Sequence, residues 1–134
     1  MTDPQIPPPG LKGKILVIDD ELDIREGLYD LLTIEGGYTV ELAHNGTEGL
    51  HKLDGTAYDL VLLDLMMPDM SGMDVLQKVR KSDTETPIFM ITAYGSVEAA
   101  VDALKLGAND YFSKPWDNEK LLIEIDRMIA AAGT

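Results

Sequence analysis

The stretch Asp59-Leu60-Val61-Leu62-Leu63-Asp64-Leu65-Met66-Met67-Pro68-Asp69-Met70-Ser71-Gly72-Met73-Asp74-Val75-Leu76 decides the fold. Leu60 to Leu63 is apolar at every position. A strand built from it is buried on both faces, as parallel strands inside a sheet are. The run ends in a carboxylate, Asp64. A short connection then leads to Val75, Leu76 and Val79, which recur at helical spacing.

The same unit repeats on either side. Ile15-Leu16-Val17-Ile18 and Ile88-Phe89-Met90-Ile91 are two more doubly apolar runs of strand length. Tyr38 to Leu42 alternates instead, as an edge strand with one wetter face does. Asp110 to Lys114 gives a short fifth strand. Ile24, Leu28, Leu31 and Leu32 predict a first helix, closed by Gly36-Gly37. Leu50 and Leu53 predict the second helix and Val75, Leu76 and Val79 the third. Val97, Ala100, Val101 and Leu104 predict the core stripe of a fourth, which leaves Ala99 and Ala103 off the core. Leu121, Leu122, Ile125, Met128 and Ile129 predict the fifth. Strand and helix alternating five times imply a (βα)5 doubly wound α/β fold with a parallel sheet and right-handed crossovers.

The chain has 134 residues, which suits one domain. Residues 1–11, rich in proline, read as a disordered lead-in, 12–131 as the domain, and 132–134 as a tail or truncated linker. A net charge of −13 repels phosphate backbones and anionic lipid, so no direct nucleic-acid or membrane binding is expected. Without cysteine there is neither a disulfide nor a thiolate site. No apolar run approaches the ~20 residues of a membrane span, and a cytoplasmic protein is expected.

Sites in open α/β sheets form beyond the carboxyl ends of the strands. Here those ends carry Asp19-Asp20 followed by Glu21, then Asp64, Thr92, and Lys114-Pro115. If the strands are neighbours, three aspartates, a hydroxyl and an ammonium meet in one pocket. Two carboxylates ~5 Å apart repel by ~3 kcal/mol at an effective dielectric of ~20. Three together call for a cation, and an all-oxygen donor set suits Mg²⁺. A single one of these aspartates has a plainer reading; Asp20 could cap the first helix. Lys114 is placed to pair with Asp64, and its bond to Pro115 is a candidate for the cis form.

Four segments, ILVIDDE (15–21), DLVLLDLMMPDMSGMDVL (59–76), PIFMITAYG (87–95) and GANDYFSKPW (107–116), together resemble the receiver domain of two-component response regulators. The stretch at 95–117 is most similar to the NtrC-like class of receivers. The resemblance implies a strand order of 2-1-3-4-5. It also implies that Asp64 accepts a phosphoryl group from a sensor histidine kinase in a Mg²⁺-dependent reaction. By the same resemblance Asp19, Asp20, Asp64 and the Met66 backbone carbonyl hold the metal, with Lys114 and Thr92 assisting. Thr92 and Tyr111 act as the switch pair, while Met66 and Tyr94 tune dephosphorylation. Output is expected through the fourth helix, fifth strand and fifth helix, including a homodimer formed by that face. In a full-length protein, ATPase and DNA-binding domains would follow and regulate transcription.

Two alternatives stand beside this: a stand-alone receiver acting by protein–protein contact, and a Mg²⁺-dependent aspartyl-phosphate hydrolase. The hydrolase would place an acid/base aspartate two residues after its nucleophile, and Met66 occupies that position. A dinucleotide-binding module would need a glycine-rich loop after the first strand, where the sequence is acidic instead.

Overall fold

The computed structural model describes residues 10–93 and 95–132. Most of the proline-rich lead-in, Tyr94 and the last two residues lie outside the described residues. The elements follow in strict alternation: β1 Gly10–Ile18, α1 Leu22–Asp30, β2 Tyr38–Ala43, α2 Gly46–Gly55, β3 Leu60–Asp64, α3 Gly72–Arg80, β4 Ile88–Thr92, α4 Val97–Lys105, β5 Asp110–Ser113 and α5 Asn118–Ala132. All strand pairings are parallel, in the order β2-β1-β3-β4-β5. The reversal of order between β1 and β3 opens the crevice in which a doubly wound sheet carries its site.

Alternation along each strand divides the core in two. Ile15, Val17, Leu60, Leu62, Phe89 and Ile91 face α1 and α5, where Leu28, Leu31, Leu32, Leu121 and Ile125 cover them. Leu16, Ile18, Val61, Leu63, Ile88 and Met90 face the other way, against Val75, Leu76 and Val79 of α3 and Ala103 of α4. β3 and β4 are buried at every position, as their unbroken apolar runs require.

Gly10 and Leu11, expected in the disordered lead-in of residues 1–11, are instead the first residues of β1, where pairing with Tyr38 of β2 satisfies their backbone. Two further local features differ from the sequence expectation. α1 continues into a π-helical turn, Leu31–Glu35, in which the Gly36 amide donates to the Leu31 carbonyl five residues back. Gly37 then leaves at φ 77, a conformation glycine adopts without steric cost. The second difference is in α4. Its expected core stripe is turned outward: Val97 is 81% exposed, Val101 43% and Leu104 49%, whereas Ala103 is fully buried. Ala99 and Ala100 are half-buried, and Ala99 packs against the core. The small side chains seat the helix against the sheet, and the large ones face solvent.

Candidate functional site

Asp19 and Asp64 sit at the carboxyl ends of the two central strands β1 and β3, which pair from Ile15–Leu60 to Ile18–Leu63. Burial of these strands carries both aspartates inward. Asp19 is 0% exposed and Asp64 2%, while Asp20 and Glu21 are exposed. One carboxylate oxygen from each of Asp19, Asp20, Glu21 and Asp64 lies within 4.8 Å of the others.

Asp20 does not cap α1. The N-cap residue is Glu21, with no side-chain cap bond, and its amide donates to Asp19 Oδ1 at 2.8 Å. Arg25 donates to the Asp19 backbone carbonyl at 2.7 Å from within α1. The Asp20 carboxylate is therefore left to the cluster.

Lys114 enters from the end of β5. Its amide donates to the Thr92 carbonyl at 2.7 Å, and the Lys114–Pro115 peptide is cis. The ammonium lies 2.8 Å from Asp19 Oδ2, 3.1 Å from Glu21 Oε1 and 3.6 Å from Asp64 Oδ2. Its approach to Asp19 Oδ2 is an ion pair without hydrogen-bond alignment, so that buried oxygen has no aligned donor among the described residues.

The charges explain the proton affinities. Burial, then the Asp19 charge, push the Asp64 carboxyl up to about 7, against the pull of Lys114. Burial also raises Asp19 above the ordinary carboxylate range. Burial alone would lower Lys114, but the carboxylates of Asp19, Asp64 and Glu21 outweigh it and raise the ammonium. Three carboxylates thus share one ammonium, and a fourth, Asp20, lies beside them. A buried oxygen with no aligned donor, in an all-oxygen cluster short of positive charge, fits a divalent cation. A cleft of about 380 Å³ opens onto the group, lined by Asp20, Glu21, Asp64, Met66, Met67, Pro68, Ala93 and Lys114.

The remaining expected residues fall around this cleft. Met66 is half exposed at its rim, and its amide reaches Asp64 Oδ1 at 3.4 Å. Thr92 is fully buried at the end of β4. Tyr111 is half-buried on β5 and packs against the core face that includes Ala103. Tyr94 lies outside the described residues. Sequence reasoning did not assign Glu21 to the cluster, although it directly follows Asp19-Asp20. It also passed over Asp69 and Gly72, whose contacts come from tertiary packing.

Fold and cluster define a class: a doubly wound α/β domain with an acidic pocket at the strand ends. A family model for the response regulator receiver domain matches residues 15–126, and the chain belongs to that family. It is 45% identical over 123 residues to the uncharacterized transcriptional regulatory protein YkoG of Bacillus subtilis, covering 92% of this chain and 54% of that protein. It is 38% identical over 117 residues to the regulatory protein AtoC of Escherichia coli, covering 87% of this chain and 25% of AtoC. Among solved structures, a CheY-like response regulator receiver domain protein from Methanospirillum hungatei superposes with a TM-score of 0.84 at 34% identity, covering 90% of this chain and 95% of that one. The chain spans about half the length, or less, of the curated relatives it matches. No helix among the described residues is long and apolar enough to cross a membrane.

Proposed function

We propose that this receiver accepts a phosphoryl group on Asp64 from a phosphohistidine of a sensor histidine kinase, and that the modified form is read as a signal. The observation that carries the proposal is the convergence of Asp19, Asp20, Glu21 and Asp64 on one point beside the Lys114 ammonium. Asp19, Asp20, Asp64 and the Met66 carbonyl would hold Mg²⁺, which when bound neutralises charge on the transferring group. A carboxylate oxygen of Asp64 attacks the phosphorus as the P–N bond to the kinase histidine breaks, and the imidazole leaves with that electron pair and takes up a proton. Lys114, drawn at rest to Asp19 and Glu21, moves to the new phosphoryl oxygens. Thr92 donates its hydroxyl to them, and Tyr111 follows the space that Thr92 vacates. This is a local change of charge that biases a two-state element.

The readout surface is α4, β5 and α5. Val97, Val101 and Leu104 present apolar side chains there, which suits phosphorylation-dependent pairing of two receivers. We propose transcription as the output, by likeness to YkoG and to CusR of Escherichia coli, both named as transcriptional regulatory proteins. The likeness of the stretch at 95–117 to the NtrC-like class supports placing this receiver ahead of an ATPase and a DNA-binding domain. A hydrolase is disfavoured because Met66, not an acid, follows Asp64 by two positions.

The test is incubation with a small acyl phosphate. The expected result is a Mg²⁺-dependent gain of one phosphoryl group on the peptide that holds Asp64; no gain, or a gain elsewhere, contradicts it. Met66 and Tyr94 offer no carboxylate or amide to orient a hydrolytic water. Met66→Asn is therefore expected to shorten the phosphoryl lifetime severalfold, and an unchanged or longer lifetime counts against that role.

A further inference from the structure

We propose that Asp69 is a positioning residue for the metal site, clamping the loop between β3 and α3 to the first turn of α2. The inference rests on the reading that the Met66 carbonyl is a metal ligand.

An α-helix leaves its first four amides without intrahelical partners. In α2, Asn45 Oδ1 accepts from Glu48 at 2.8 Å and the Asn45 carbonyl from Gly49 at 3.1 Å. The first two amides, Gly46 and Thr47, are served from another element. They donate to Asp69 Oδ1 at 3.1 Å and Oδ2 at 2.9 Å, and the Thr47 hydroxyl adds 2.7 Å to Oδ2. The Thr47 hydroxyl holds the Asp69 carboxyl down to about 2 against the opposing effect of burial, with the Thr47, Gly46 and Met70 amides adding to the hydroxyl. Its negative charge also suits the positive end of the helix dipole.

Packing reinforces the clamp. A Cβ on Gly46 would meet Met70 Cγ at 2.4 Å, so helix and loop touch at the glycine. The other end of the loop is equally tight. The Gly72 amide donates to the Leu65 carbonyl at 2.7 Å, and a Cβ on Gly72 would meet the Asp64 carbonyl oxygen at 2.2 Å. Residues 65–72 thus close on their own start and are pinned near the tip. Met66, Met67 and Pro68, between the two anchors, form a wall of the acidic cleft. The backbone at Met66 is held from both sides, and only Asp69 supplies the tip anchor with charge.

The experiment compares Asp69→Asn, Thr47→Val and Asn45→Ala in the full chain. Asp69→Asn keeps one acceptor oxygen and loses the charge; Thr47→Val removes only the hydroxyl contact. Asn45→Ala removes the helix's own cap without touching the loop. Amide exchange without metal reads the clamp, and Mg²⁺ titration followed by Trp116 fluorescence reads the site. For Asp69→Asn, exchange at Met66, Met67 and Met70 is expected to quicken, and Mg²⁺ affinity to fall on the order of tenfold. Thr47→Val should fall between it and wild type, and Asn45→Ala should leave Mg²⁺ affinity at the wild-type value. Faster exchange with unchanged affinity overturns the positioning role, as does an equal loss of affinity in Asn45→Ala. Unchanged exchange in Asp69→Asn overturns the clamp itself. A wild-type chain that binds no Mg²⁺ refutes the underlying reading of the site, and the positioning role with it.

Discussion

Asp64 carries a carboxyl whose proton affinity is raised to about 7 by burial and by Asp19. The sign of its effect on stability follows. A folded pKa above the unfolded value of 3.8 means that the native state holds the proton more tightly. The resulting stability is complete below that unfolded value and is lost as pH rises through about 7. Without metal, wild type should therefore lose stability between pH 5 and 8 more steeply than Asp64→Asn. Denaturant melts in a chelating buffer would show this, and equal slopes in the two proteins would refute it. Asp19 and Asp64 were legible in the sequence because a charged residue ending a doubly apolar run has few structural uses; Lys114 ends a short, half-buried strand and was singled out by its place at a strand end before Pro115. Asp69 was not legible, since its partners lie 22 and 23 residues away and no periodicity announces them.

Among the elements, β3 and β4 and the second half of β1 were read closely because runs apolar on both faces have one resting place in an α/β domain; β2 was read from its alternation, and the start of β1 at Gly10 was not foreseen. Helix α4 shows where such reading stops. Periodicity locates a stripe, but it does not say which side of a nine-residue helix meets the sheet. Here Ala103 does, and the larger stripe looks outward. Two substitutions separate these faces. Val101→Asp should change folding stability by no more than about 0.5 kcal/mol, as exposed sites do, while abolishing phosphorylation-dependent self-association measured by ultracentrifugation. Ala103→Leu should destabilise the fold by about 1–3 kcal/mol through overpacking. The reverse ranking in melts would restore the inward stripe. Gly72 is the corresponding test in the loop after β3. Gly72→Ala pushes a Cβ onto the Asp64 carbonyl oxygen. It should cost a similar ~1–3 kcal/mol and weaken Mg²⁺ binding as well; wild-type affinity in a folded Gly72→Ala chain would show that the carboxylate tolerates the shift.

Seen across the whole molecule, the parallel sheet brings carboxylates from β1 and β3 and an ammonium from β5 to one edge, and the resulting excess negative charge is a stability cost until a cation enters. Ligand binding to the native state alone adds about 2.7 kcal/mol at a hundredfold excess over Kd. The domain should therefore melt at higher temperature with Mg²⁺ than with chelator at pH 8, and Asp64→Asn should lose most of that gain. The β-α alternation was legible at this scale and implied a parallel sheet, while the strand order 2-1-3-4-5 was implied by the resemblance to receiver domains. The depth of the cluster depends on tertiary packing, which set Asp19 and Asp64 inside and left Asp20 and Glu21 in solvent. The central claim is that Asp64 is the phosphoacceptor, and its most direct measurement is incorporation of beryllofluoride, a phosphoryl mimic, with and without Mg²⁺. Wild type is expected to take up the mimic stoichiometrically only with Mg²⁺, and Asp64→Asn to take up none. Equal uptake by Asp64→Asn would contradict the claim.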